Sequence, residues 1–199
     1  MLLETLRPGT LVGPNGDDAY LKVVQRFGDT TNPDAQVKAL ETYGIKARRI
    51  VTADFELLER HIAGGIPVPC GWLHRGPVDS PHGGGHWLIA YGIDGTHLTV
   101  HDPWGEPDLV SGATIGSNGR ALRFSRQNFG KRWMVEQVAG GGYRYAPGNG
   151  WAIVVDSVAS GTGRHHRRPP RPRPGHGTWG HLRRRWLGAW PGGGGGCPG

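Results

Sequence analysis

The chain has 199 residues, with 36 Gly, 16 Pro, only 2 Cys and a formal charge of +7. That length holds one domain with a sizeable core, or one domain and a tail. Two cysteines exclude a disulfide scaffold and a Cys-rich zinc fold, and no apolar run approaches the roughly 20 residues that span a bilayer. Neither a membrane span nor a signal peptide is read, so a cytoplasmic location is expected.

The charge is uneven. Of 23 Lys and Arg, eight are Arg residues between Val158 and Gly199, a stretch with no Lys, Asp or Glu. Residues 1–157 carry 15 basic and 16 acidic side chains. Nucleic acid is therefore not expected as a partner of the folded part. The segment 158–199 holds 12 Gly and 6 Pro, and Val158, Leu182 and Leu187 are its only branched aliphatics. It cannot bury enough apolar surface to offset backbone ordering, and a disordered tail is expected. Three readings compete for it: an Arg-rich arm for nucleic acid or anionic lipid, a solvated tail, and a GC-rich gene read out of frame. The abrupt change after Trp151–Val155 favours the frameshift reading.

Along residues 1–157, Leu2, Leu3 and Leu6 before Arg7-Pro8-Gly9 read as the end of a helix. Tyr20, Leu21, Val24 and Phe27 lie on one face of a second, closed by Gly28. Asn32-Pro33 starts a third helix, Asn as cap and Pro at the first helical position, which Gly44 stops. Residues 45–51 suit a strand. Thr52 or Asp54 caps a helix with the stripe Phe55, Leu58 and Ile62. Residues 66–73 read as a strand whose two prolines point to an edge or an irregular stretch. A Gly/Pro/His-rich loop covers 74–85. Strands at 86–93 and 97–101 flank the tight turn Asp94-Gly95. A long polar region follows, with a short helix at 125–129, a segment at 133–136 and a last strand at 151–155. Helices first and antiparallel strands second predict an α+β domain, its N-terminal helices packed on an antiparallel sheet.

The hairpin carries the chemistry. His86 opens one strand after Gly83–Gly85, and Asp102 follows the partner strand before Pro103. The turn brings both to one end of the hairpin. A general base held by a carboxylate needs that arrangement, because the carboxylate fixes the imidazole tautomer. By spacing alone, a His and an Asp at a hairpin end are more often ordinary surface residues.

The order of segments adds to this: LETYGIKARRI, GGIPVPCGWLHRG, GGGHWLIAYGID and HLTVHDPWG. This pattern, over roughly residues 1–157, resembles papain-like cysteine peptidases of the bacteriocin-leader-processing type, the peptidase C39-like family with its stand-alone bacterial and phage relatives. The resemblance implies a papain-like fold, a peptide or protein substrate and no cofactor. It places the general base on His86 and its orienting carboxylate on Asp102. The family's nucleophile is a Cys at the start of the first long helix, with a Gln upstream for the oxyanion hole. Neither precedes Leu2 here. The resemblance thus implies an N-terminally truncated, inactive peptidase domain, and Met1 is expected near the His86 ring.

Other candidates are weaker. Cys70 lies within a strand, where a thiol is most often inert packing, and Cys197 lies in the tail. His82 and His86 are separated by three glycines, which argues against a zinc-binding helix; His97 and His101 lack a third ligand, and His74 is read as a solvated loop residue. No metal site is expected. Trp87 and Trp104 each lie within two residues of the His/Asp pair and are candidate walls of a substrate groove, with core packing the plainer reading. Nothing ties Asn128 or Asn149 to the pair. Besides an enzyme, the chain is compatible with a non-catalytic peptide-binding module of the same fold, or with a nucleic-acid binder acting through its Arg tail.

Overall fold

A computed structural model of the chain describes residues 1–12 and 16–159. The expected tail lies outside the described residues, apart from Val158 and Ala159. Three helices come first: α1 (Leu2–Leu6), α2 (Gly16–Gln25) and α3 (Pro33–Thr42). The Asn32 side chain accepts hydrogen bonds from the amides of Asp34 and Ala35, with Pro33 in the first turn, as the Asn-Pro pair predicts. Strand β1 (Ile45–Ala53) leads to α4 (Phe55–Ala63), capped by Asp54, which accepts from the Leu57 amide at 2.8 Å.

Strands β2 (Val68–Trp72), β3 (His86–Ile93) and β4 (His97–His101) follow. The long polar region contains a small two-stranded ladder, β5 (Glu106–Pro107) with β6 (Thr114–Gly116), and then β7 (Leu122–Ser125). Helix α5 (Arg126–Trp133), β8 (Met134–Gln137) and the long β9 (Tyr143–Val158) complete the domain. The main sheet is antiparallel throughout, in the order β1-β9-β2-β3-β4-β7, with β8 also paired to β9. The fold is α+β. Among the described residues no helix is long and apolar enough to cross a membrane.

Side-chain alternation along the strands sends residues to two separate cores. Leu88, Ala90, Ala152 and Val154 face a cluster completed by Leu58 of α4 and by Phe129 and Trp133 of α5. Their sequence neighbours Trp87, Ile89, Ile153 and Val155 face the opposite cluster, with Leu2, Leu3 and Leu40 of α1 and α3. Helices therefore cover both faces of the sheet, and the first three share one of them.

One expectation is corrected. Strand β2 is central, not an edge: it lies between β9 and β3 and is buried at every residue. The prolines are tolerated because the ladder to β9 covers only Cys70 and Gly71, after Pro69, so β9 requires no amide hydrogen from Pro69.

Candidate functional site

The site forms where β2, β3 and β4 end together. Trp72 pairs with His86 across β2 and β3, and Ile89 pairs with His101 across β3 and β4. Alternation then decides which side chains meet. His86 shares a face with Leu88 and Ala90, and Asp102 continues the inward series Leu98, Val100. Their parity is the same, so they converge. His97 and His101 point the other way; His101 stacks on Tyr91 and its Nδ1 accepts the Ala121 amide at 3.0 Å.

Among the described residues, His86 and Asp102 are the buried histidine and carboxylate, at 4% and 5% exposure. Nε2 of His86 lies 2.9 and 2.8 Å from the two Asp102 oxygens. An ionised carboxylate only accepts, so Nε2 carries the hydrogen. Nδ1 makes no hydrogen bond to any described residue. The Asp102 carboxylate also accepts from the Trp104 amide at 2.8 Å. Behind it, the Asp102 amide donates to the Gly119 carbonyl at 2.8 Å. Gly119 approaches so closely that a Cβ there would lie 1.8 Å from the Asp102 carbonyl oxygen. The approach to His86 passes through Gly83 and Gly85, at φ +81° and +71°, backbone that L side chains rarely adopt.

Three rings surround the His86 imidazole. Trp104 lies 4.7 Å away between centroids, His74 4.9 Å and Trp72 5.8 Å. Trp104 is 43% exposed and forms the outer wall. A cavity of about 20 Å³ is left among these rings, Asp102 and Thr114. A larger cleft, about 260 Å³, lies beside β7 between Glu106, Val110 and Arg123, and includes neither His86 nor Asp102.

Of the residues singled out from the sequence, His86, Asp102 and Trp104 come together. Trp87 does not join them: its ring lies on the opposite face against Gly71, and its Nε1 donates to the Thr31 carbonyl at 2.9 Å. Helix α1 also packs on that opposite face through Leu2 and Leu3, and the described ring and hydrogen-bond partners of His86 do not include Met1. Cys70 is wholly buried, its Sγ 3.6 Å from the Val68 carbonyl, and burial pushes its thiol pKa up. Asn128 and Asn149 lie elsewhere, on the Ser125 cap and on Glu136. Among the described residues no three His, Cys, Asp or Glu side chains are placed to hold a metal ion.

Sequence reasoning missed His74 and Trp72. His74 is not a solvated loop residue: both its ring nitrogens are buried with no hydrogen-bond partner among the described residues, as is Trp72 Nε1. Burial, with the charges of His86 and Arg75 next in weight, lowers the His74 pKa to about 4, so its ring is neutral at pH 7. The β2 alternation Cys70, Trp72, His74 pointed at this face, but only the register to His86 shows what it meets.

No protein-family model and no curated protein matches the sequence. Among solved structures, the chain is similar to the peptidase domain of Streptococcus ComA, a bi-functional ABC transporter involved in a quorum-sensing pathway. The two share 17% identity over 69% of this chain and 75% of that one, with a TM-score of 0.40.

Proposed function

We propose that His86 and Asp102 are the proton-transfer half of a cysteine-peptidase site of the bacteriocin-leader-processing, papain-like type, acting on a peptide or protein. The observation that carries this reading is the state of the His86 ring. Asp102 holds the Nε2 hydrogen on both oxygens, which leaves Nδ1 as an acceptor unengaged among the described residues, at the end of the sheet. The ordered segments ending in HDPWG support it independently.

On this reading His86 takes the proton of a thiol at Nδ1. The thiolate attacks the peptide carbonyl, and the proton passes to the leaving amine as the C–N bond breaks. Water, activated by the same ring, then frees the acyl group. Asp102 orients the ring and stabilises its charged form without itself taking the proton. Trp104 walls the pair from solvent.

Cys70 does not supply the thiol. It is fully buried in mid-strand, where the reactive thiolate is disfavoured. The 199-residue chain is therefore expected to show no iodoacetamide-sensitive peptide hydrolysis. A chain given a cysteine within reach of His86 Nδ1 is expected to acquire it and to lose it in His86→Ala. Hydrolysis by the wild-type chain that disappears in Cys70→Ser would overturn the assignment. The burial of Cys70 also favours a second reading, a peptide-binding module without turnover. Saturable peptide binding by both chains, with hydrolysis by neither, would select it.

A further inference from the structure

Arg132, in the last turn of α5, has no exposed surface. Its partners are backbone carbonyls. Nε donates to Leu109 at 2.6 Å, Nη1 to Leu73 at 3.1 Å and Arg75 at 3.3 Å, and Nη2 to Gly76 at 2.6 Å. Its own carbonyl accepts the Leu73 amide at 3.0 Å, so the Leu73 backbone is held at both polar groups. The two loops it joins also touch each other: a Cβ on Gly112 would lie 2.4 Å from the Gly76 carbonyl oxygen. Burying a guanidinium among carbonyls is expensive unless its donors are satisfied, and only a planar fork with five N–H groups reaches so many acceptors at once.

These carbonyls bracket one residue. Leu73 and Arg75 flank His74, whose ring makes no hydrogen bond of its own and contacts both His86 and Trp104. The place of the His74 ring is thus set by its backbone and by ring packing alone. We propose that Arg132 is a positioning residue of the His86–Asp102 site: it pins the backbone on both sides of His74, and His74 in turn walls the His86 ring. The importance of that position rests on the proposed peptidase reading; the geometry does not.

The test is the His86 ring signature in long-range ¹H–¹⁵N correlation spectra of the full chain. The wild type should show His86 with hydrogen on Nε2 and that proton protected from exchange. Arg132→Lys, with three donors on a point charge, should lose the protected resonance. Leu40→Ala, which loosens the opposite core, should keep it. Retention in Arg132→Lys, or equal loss in Leu40→Ala, overturns the proposal. Should Arg132→Lys not fold, His74→Ala carries the test: loss of the resonance supports the proposal, and retention overturns it. His74→Phe restores the ring wall and should restore the resonance; its failure to do so would overturn the packing route. The spectra need no substrate, so failure here leaves the peptidase reading standing, and absence of hydrolysis leaves this proposal standing.

Discussion

Nε2 of His86 sits within 2.9 Å of both carboxylate oxygens of Asp102, and both residues are almost wholly buried. The contact is not a rung of the sheet. Continued past its last pair, the β3–β4 register sets Leu88 beside residue 102 and His86 beside residue 104. The imidazole therefore reaches diagonally to the carboxylate, and the ring of Trp104 falls against its side. A diagonal neighbour on one face of an antiparallel pair is within reach of a long side chain. Pairing and shielding follow from the same two-residue alternation.

Cys70 should be silent towards alkylation. In native protein, iodoacetamide followed by peptide mass mapping should leave it unmodified, and modification should appear only with unfolding. Cys70→Ser places a hydroxyl in an apolar core and should cost about 2 kcal/mol. Rapid labelling of Cys70 at neutral pH in the folded state would contradict the picture of an inert thiol.

The stability of the domain should fall as pH drops from about 6.5 towards 4. His74 has a folded pKa lowered to about 4, and an unfolded histidine titrates near 6.5. Between those values the unfolded chain binds a proton that the folded chain does not, so stability rises with pH there and is lost as pH falls. His101 contributes with the same sign. The check is the melting midpoint against pH for wild type and His74→Phe; the variant should show a shallower slope across this window. Equal slopes would show that His74 is not kept neutral by its surroundings.

Parts of this architecture were legible from the residues. The β3–β4 hairpin is legible with its observed bounds, because Asp94-Gly95 signals a tight turn, in which Asp94 accepts from the amides of Thr96 and His97. Trp87 could have been set aside by strand alternation, since adjacent strand residues face opposite sides. The central place of β2 was hidden by its prolines, whose harmlessness depends on how little of β9 pairs beside them. His74 and Arg132 were illegible for a related reason: a loop histidine and a helix arginine become parts of one site only through contacts between residues more than fifty positions apart.

Gly119→Ala should disturb Asp102 from behind. The added methyl would sit 1.8 Å from the Asp102 carbonyl oxygen, a backbone atom that cannot swing aside. The Asp102–Gly119 hydrogen bond must open to admit it. A loss of about 3 kcal/mol is expected, read by denaturant unfolding. An unchanged midpoint would mean that the 117–121 turn moves freely and does not brace the carboxylate.

The sharpest distinction lies between Asp102→Asn and Asp102→Ala. Alanine removes both acceptors, orphaning the Trp104 amide and the His86 Nε2–H in a buried setting. Breaking such a pair should cost about 3 kcal/mol, or roughly 6–12 °C in melting midpoint for a domain of this size. Asparagine keeps the shape and one oxygen, which can still accept from the Trp104 amide, and should cost only about 1 kcal/mol. Its amide group, however, presents N–H to His86 Nε2. That donor at 2.8 Å opposes the Nε2–H, so the tautomer with its hydrogen on Nδ1 and Nε2 as acceptor is favoured. Nδ1 then no longer accepts a proton. Asp102→Asn should therefore leave the domain nearly as stable as wild type while inverting the His86 tautomer in ¹⁵N spectra. In a chain given a nucleophile, it should lower hydrolysis by orders of magnitude, though less than His86→Ala, which removes the proton carrier itself. Retention of the Nε2–H form in Asp102→Asn would show that something other than Asp102 orients the ring.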